Sequence, residues 1–221
     1  DKIRAGHMNT AYMERVTVAV LAMFTAIVFL ALGTAKADEK LLPMAEATES
    51  GLYTQPWFRE TFLDLTEDMV EAKSEGKRLV IIWEQKGCPY CREIHRLNLR
   101  IPSTATYIKE RFFVLQLNLW GDREVIDFDG ERTTEKKLAR KYRVQFTPTI
   151  QFFPKDLPAG KKMSGRDLAV WQLMGYWKPF HFEHTFHYVH EKGYETQPNF
   201  QRWLQARAEK YEAEGKEVKI W

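Results

Sequence analysis

Leu79-Val80-Ile81-Ile82-Trp83-Glu84-Gln85-Lys86-Gly87-Cys88-Pro89-Tyr90-Cys91 is the stretch on which the reading of this chain turns. Its first five residues form an unbroken apolar run bounded by charge, the pattern of a central strand covered on both faces. Two cysteines follow, three positions apart, with a proline after the first. Proline lacks an N–H and suits the opening turn of a helix, so the pair reads as a C-x-x-C at a strand-to-helix junction. These are the only 2 cysteines among 221 residues. A bridge between them would close almost no loop, so reactivity explains the pair better than stability does.

Upstream, Asp64 and Glu67 form a capping-box pattern for a helix over about Asp64 to Ser74, with Leu65, Met69 and Ala72 on one face and Gly76 at its end. Downstream, Ile94, Leu97 and Leu99 give the cysteine-bearing helix its apolar surface before Pro102 stops it, and Ser103 caps a short helix reaching Arg111. Phe113 to Leu119 is a second central strand. A polar loop through Asp127, Asp129 and Gly130 leads to a helix from Thr134 to Tyr142 with Leu138, Ala139 and Tyr142 apolar. Val144 to Phe153 is strand-like but contains Pro148, and Val170 to Tyr176 is an edge-like strand. Two amphipathic helices close the chain, one lined by Phe182, Phe186 and Val189, the other by Phe200, Trp203, Leu204 and Tyr211. This order matches an α/β thioredoxin fold, a mixed central sheet flanked by helices, with an extra C-terminal helix.

Disulfide exchange needs one thiolate that attacks and a second thiol that releases the mixed disulfide. Cys88, at the helix N-terminus, would meet unpaired backbone N–H groups and the positive end of the helix dipole, which favour a thiolate. Cys91, one turn inside, would be the shielded resolving thiol. A metal half-site is the competing reading of the pair, but no second C-x-x-C accompanies it. Pro89 and Tyr90 flank the sulfurs, Tyr90 either lining a substrate groove or covering the helix end. A proline interrupting a strand points to a cis Thr147-Pro148 bond. In the thioredoxin fold such a loop faces the C-x-x-C motif, and its backbone, with Thr147, pairs with substrate. Glu84, four residues before Cys88, is either a buried proton carrier or a solvated strand end. Lys86 could favour the thiolate by its charge, and His95, one turn beyond Cys91, reads as a helix-surface residue rather than a proton relay. His181, His184, His187 and His190 recur every third position, a spacing that drifts around a helix; their aromatic neighbours read as core, and no metal ligands are assigned.

Residues 1–8 read as a vector-derived remnant. Residues 9–37 read as a signal peptide rather than a membrane anchor, because the apolar run Val16 to Gly33 ends in Ala35-Lys36-Ala37 followed by charge. Residues 38–57 then form an N-terminal arm, 58–214 the thioredoxin-like domain and 215–221 a polar tail. The formal net charge of +3 is interleaved along the chain, so there is no nucleic-acid footprint.

The chain resembles the SoxW-like branch of the bacterial exported thioredoxins. The resemblance is carried by Trp83 to Cys91, Asp127-Phe128-Asp129-Gly130, Leu138-Ala139-Arg140-Lys141-Tyr142, Thr147-Pro148-Thr149 and Gly175-Tyr176, within about residues 60 to 205. It implies a periplasmic thiol–disulfide reductase or redox carrier, serving client proteins of a sulfur-oxidation or cytochrome-maturation pathway and fed with electrons by a membrane thiol transporter. No cofactor is expected, and a monomer is expected because no dedicated dimerisation domain fits between Asp38 and the first helix. The chain also departs from the usual pattern. A typical thioredoxin has Cys-Gly-Pro-Cys and a buried aspartate six residues before its first cysteine, where Ile82 stands here. Cys-Pro-Tyr-Cys is also found in glutaredoxins, which use glutathione. The alternatives to a reductase are an oxidase or isomerase of the same fold, or a metal-binding module without catalysis.

Overall fold

The computed structural model describes residues 40–160, 162–216 and 218. The expected remnant and signal peptide lie outside the described residues, as does most of the polar tail. Among the described residues no helix is long and apolar enough to cross a membrane.

The run that opened the sequence analysis is strand β1, Arg78–Glu84, and all seven of its residues are buried. It pairs in parallel with β2, Phe112–Asn118, and antiparallel with β5, Thr149–Phe152, whose outer edge carries β6, Trp171–Met174. The sheet order is therefore β2-β1-β5-β6, mixed, with β1 inside it. Successive strand residues point to opposite faces. Leu79, Ile81 and Trp83 accordingly enter one core cluster, with Leu65, Met69, Leu138 and Tyr142. Val80 and Ile82 enter the other, with Ile94, Phe182 and Phe186. Glu84, two residues beyond Ile82, falls on this second face.

Helix α1, Leu65–Ser74, is capped by Asp64, whose carboxylate accepts from the backbone N–H groups of Thr66 and Glu67, so only part of the expected box forms. Helix α2, Pro89–Arg96, begins directly at the cysteine pair, and the chain tightens into a short 3₁₀ turn at Asn98–Arg100. Pro102 does not merely stop that segment. It is the first residue of α3, Pro102–Arg111, where its missing N–H costs nothing, and Ile101 rather than Ser103 holds the cap position.

The polar loop contains a small hairpin, β3 (Glu124–Ile126) with β4 (Arg132–Thr134), leading into α4, Glu135–Lys141. Buried Asp127 ties this region together. It accepts from the Tyr142 hydroxyl and from the N–H groups of Phe128 (2.8 Å) and Gly165 (3.0 Å), and Lys141 lies 2.6 Å away. A side chain at Gly165, which opens α5 (Gly165–Leu168), would place its Cβ 1.9 Å from the Tyr142 oxygen.

The expected strand from Val144 is shorter than its pattern, because Val144 to Pro148 form a loop and pairing begins only at Thr149. Helix α6, Pro179–His190, lays Phe182, Phe186 and Val189 on the second face of the sheet. A short α7, Gly193–Thr196, precedes α8, Phe200–Ala213.

From Lys40 onward, the arm sits in the same compact unit as the domain. Leu42 exchanges hydrogen bonds with Arg100, and Ala47 bridges Tyr53 around a turn at Thr48–Leu52. Arg59 donates its N–H to the Val114 carbonyl, laying the chain beside β2.

Candidate active site

Cys88 is the N-cap of α2, and Pro89 is its first residue. The two cysteines are joined in a disulfide, with Cα atoms 5.3 Å apart. The Cys91 N–H donates to the Cys88 sulfur at 3.0 Å, using one of the backbone donors that a helix start leaves unpaired. Both cysteines are buried, Cys88 as a residue slightly less so than Cys91.

The Thr147-Pro148 peptide bond is cis. The Thr147 carbonyl oxygen lies 3.6 Å from the Cys88 sulfur, so the proline loop and the cysteine motif meet although 59 residues separate them. The Thr147 hydroxyl is buried with no hydrogen-bond partner, and Pro148 is buried. The Pro148 carbonyl accepts from Gly175, whose φ of 78° lies where a side chain is strained. That turn brings Tyr176 to stack on Tyr90, with ring centroids 6.3 Å apart. Tyr90 is 60% exposed, and Trp120, also exposed, donates its indole N–H to Gln85 at 2.6 Å.

Beside the disulfide opens a cleft of about 660 Å³. One wall is the motif itself, from Glu84 through Cys91 to Arg96; the other is the arm, with Ala47, Gly51, Leu52 and Tyr53. Lys86 and Arg92 also line it, and Arg96 is turned aside onto Glu93 at 2.6 Å.

Glu84 is fully buried, so the solvated strand end does not occur. Its carboxylate lies 3.0 and 3.2 Å from Nε2 of His95 and accepts from the Gln116 amide. His95 is likewise fully buried, contrary to its expected place on the helix surface. The reason is the arm together with Phe58, the residue that follows it. Gln55 meets His95 Nδ1 at 3.1 Å, and the rings of Phe58 and Tyr53 stand 5.8 and 6.1 Å from the imidazole. Gln116 also donates to the Tyr53 carbonyl at 2.6 Å, which closes the network onto the arm. Sequence reasoning set His95 on the helix surface and missed Gln55 and Gln116. One signal was present, since His95 lies four residues after Cys91 and shares its helix face.

Among the described residues no three His, Cys, Asp or Glu side chains are grouped to hold a metal ion. The histidines of α6 are packed by aromatic rings instead. His187 stacks on Tyr107 with centroids 3.8 Å apart, and His184 donates from Nδ1 to the Phe180 carbonyl at 2.8 Å. Burial pushes His184 down to about 4.

A disulfide-linked C-x-x-C at a helix start, faced by a cis-proline loop at the end of a mixed sheet, defines a thiol–disulfide oxidoreductase. The chain belongs to the family of the thioredoxin-like domain, whose family model matches residues 65–190, more than half of its length. No curated protein sequence matches it. Among solved structures, a thioredoxin-fold protein from Helicobacter pylori is 22% identical, with a TM-score of 0.45 over 59% of this chain and 81% of that one. A thioredoxin from Thermus thermophilus is 23% identical, with a TM-score of 0.43 over 57% and 84%. The C-terminal domain of DsbD from Neisseria meningitidis, in its reduced form, is 17% identical, with a TM-score of 0.37 over 56% and 91%.

Proposed function

We propose that the protein is a periplasmic protein-disulfide reductase of the SoxW-like kind, exported by cleavage after Ala37. It would be kept reduced by a membrane thiol transporter and would serve clients of a sulfur-oxidation or cytochrome-maturation pathway. The observation that carries the reaction is the setting of the Cys88 sulfur, which accepts the Cys91 N–H at 3.0 Å and lies 3.6 Å from the Thr147 carbonyl. In the reduced protein the Cys88 thiolate attacks a client disulfide, and one client thiolate leaves. Cys91 then loses its proton and attacks the Cys88 sulfur, restoring the enzyme disulfide and releasing the second client thiolate. Two electrons pass from the dithiol to the client. Pro148 and Thr147 hold the client backbone beside Cys88 as an added strand would lie, while Pro89 and Tyr90 border the approach. The export reading rests on the Ala35-Lys36-Ala37 pattern and the charge that follows it.

Cys91→Ser should trap clients on Cys88 as mixed disulfides in the native cell, and Cys88→Ser should trap none. Trapping through Cys91 alone would reverse the roles. The reduction potential then sets the direction: a value near about −270 mV fits a reductase, and one near about −120 mV an oxidase. N-terminal sequencing of the native protein should begin at Asp38; an intact apolar run in the membrane fraction would mean an anchored protein instead.

A further inference from the structure

We propose that His95 is the positioning residue for proton transfer from Cys91, holding the Glu84 carboxylate as the acceptor of the resolving thiol's proton; this rests on the exchange reaction proposed above. Glu84 and Cys91 line the same cleft, and both are buried. Cys91 and His95 are four residues apart on α2, so they stack on one helix face, and that face covers Glu84. The Glu84 carboxylate is therefore pinned from the helix that carries the resolving cysteine.

Both ring nitrogens of His95 are engaged: the Gln55 amide meets Nδ1 at 3.1 Å, and Nε2 lies 3.0 Å from the Glu84 carboxylate. Gln116 supplies a donor to that carboxylate from β2. Tyr53 of the arm and Phe58 just after it face the imidazole, and among the described residues Glu84 and His95 form no ion pair except with each other. A carboxylate stripped of water needs such donors to remain both buried and in place. Without His95, Glu84 would lose its only partner on α2, and the acceptor would no longer be fixed relative to Cys91.

Once Cys88 is in a mixed disulfide, the Cys91 S–H bond breaks and its proton passes to the Glu84 carboxylate. The Cys91 thiolate forms the new S–S bond with Cys88, the old bond to the client sulfur breaks, and the client leaves as a thiolate. Glu84 then returns its proton to water in the cleft.

The test mixes the reduced full chain with 5,5′-dithiobis(2-nitrobenzoate) in a stopped-flow instrument. Attack by Cys88 releases one coloured thiolate and resolution by Cys91 releases a second, so the two steps read separately. His95→Gln and Glu84→Gln should each slow the second release about 100-fold near neutral pH, the lower end of general acid–base effects, and leave the first release unchanged. The double variant should be no slower than the slower single variant, because the pair acts as a unit. The second release should recover towards the unaltered protein's rate as pH rises far enough for the buried Cys91 thiol, which burial holds above an ordinary cysteine, to ionise unaided. A merely structural role would not give that recovery. A second release unchanged in His95→Gln, or a loss that persists at high pH, overturns the proposal. Should that variant fail to fold, the unaltered protein decides: only its second release should be slower in D₂O, and equal behaviour of both releases overturns the assignment. Absence of any first release would instead contradict the exchange reaction itself.

Discussion

Cys88 and Cys91 differ by one turn of helix, and their chemistry should differ accordingly. Cys88 caps the helix, receives a backbone N–H and meets the proline loop, whereas Cys91 lies inside the first turn. In the reduced protein the helix start should hold the Cys88 thiol below an ordinary cysteine, because unpaired N–H groups and the dipole favour the thiolate. Iodoacetamide near neutral pH should therefore modify Cys88 much faster than Cys91, as read by mass spectrometry of the digested chain; a faster Cys91 would refute the division of labour. Both sulfurs could be assigned from sequence because helix starts and C-x-x-C spacing are local features. The proton-handling side chains were only half legible. Period-two alternation already puts Glu84 on the face of Ile82, where a typical thioredoxin has its buried aspartate, one pleat nearer the motif. What buries it, and buries His95 with it, is an arm that reaches them from some 40 residues upstream through Gln55. No local pattern in an eight-residue helix reveals that cover.

At the scale of elements, α1 carries a cost that can be titrated. Asp68 lies on its buried face with one carboxylate oxygen lacking a hydrogen-bond partner. Burial, only partly offset by a hydrogen bond from Thr61, pushes its carboxyl up to about 6 from an ordinary 3.8. The native state then binds a proton that the unfolded chain has released. Asp68 thus favours folding below about pH 4, and that stability is lost as pH rises through 6. Asp68→Asn should stabilise the protein by about 1–3 kcal/mol at pH 7 and by little at pH 4. Urea denaturation at both values checks this, and an equal gain at both would remove the carboxyl as the cause. Long periodic elements such as α1, β1 and α6 were readable because their own side chains repeat. The β3–β4 hairpin was not, since its two three-residue strands are shorter than any period can register. Strand β5 was overread for a related reason: Val144 is buried and Phe146 apolar, but they flank the proline loop that faces Cys88 and pair with no strand.

For the whole molecule, stability resides in the two cores on either side of β1. Phe186 joins the second of them, with Phe112, Phe152 and Phe182 rings at 5.1, 5.0 and 5.2 Å. Phe186→Ala should cost about 3–5 kcal/mol in chemical denaturation while the folded fraction keeps its dithiol chemistry. Loss of less than about 1 kcal/mol would mean that α6 is not part of the core. The fold class could be read from element order because each apolar run has a single sheet face to cover, whereas the arm's docking depends on pairings that no run announces. One further consequence follows from the cysteine pair. The chain has 2 cysteines, and they are each other's partners. Every electron equivalent the protein stores therefore belongs to one couple, and its oxidation state is a binary quantity. A single thiol-tagging mass shift, taken from a whole-cell lysate, counts how many molecules are charged at that moment, with no scrambled isomers to subtract.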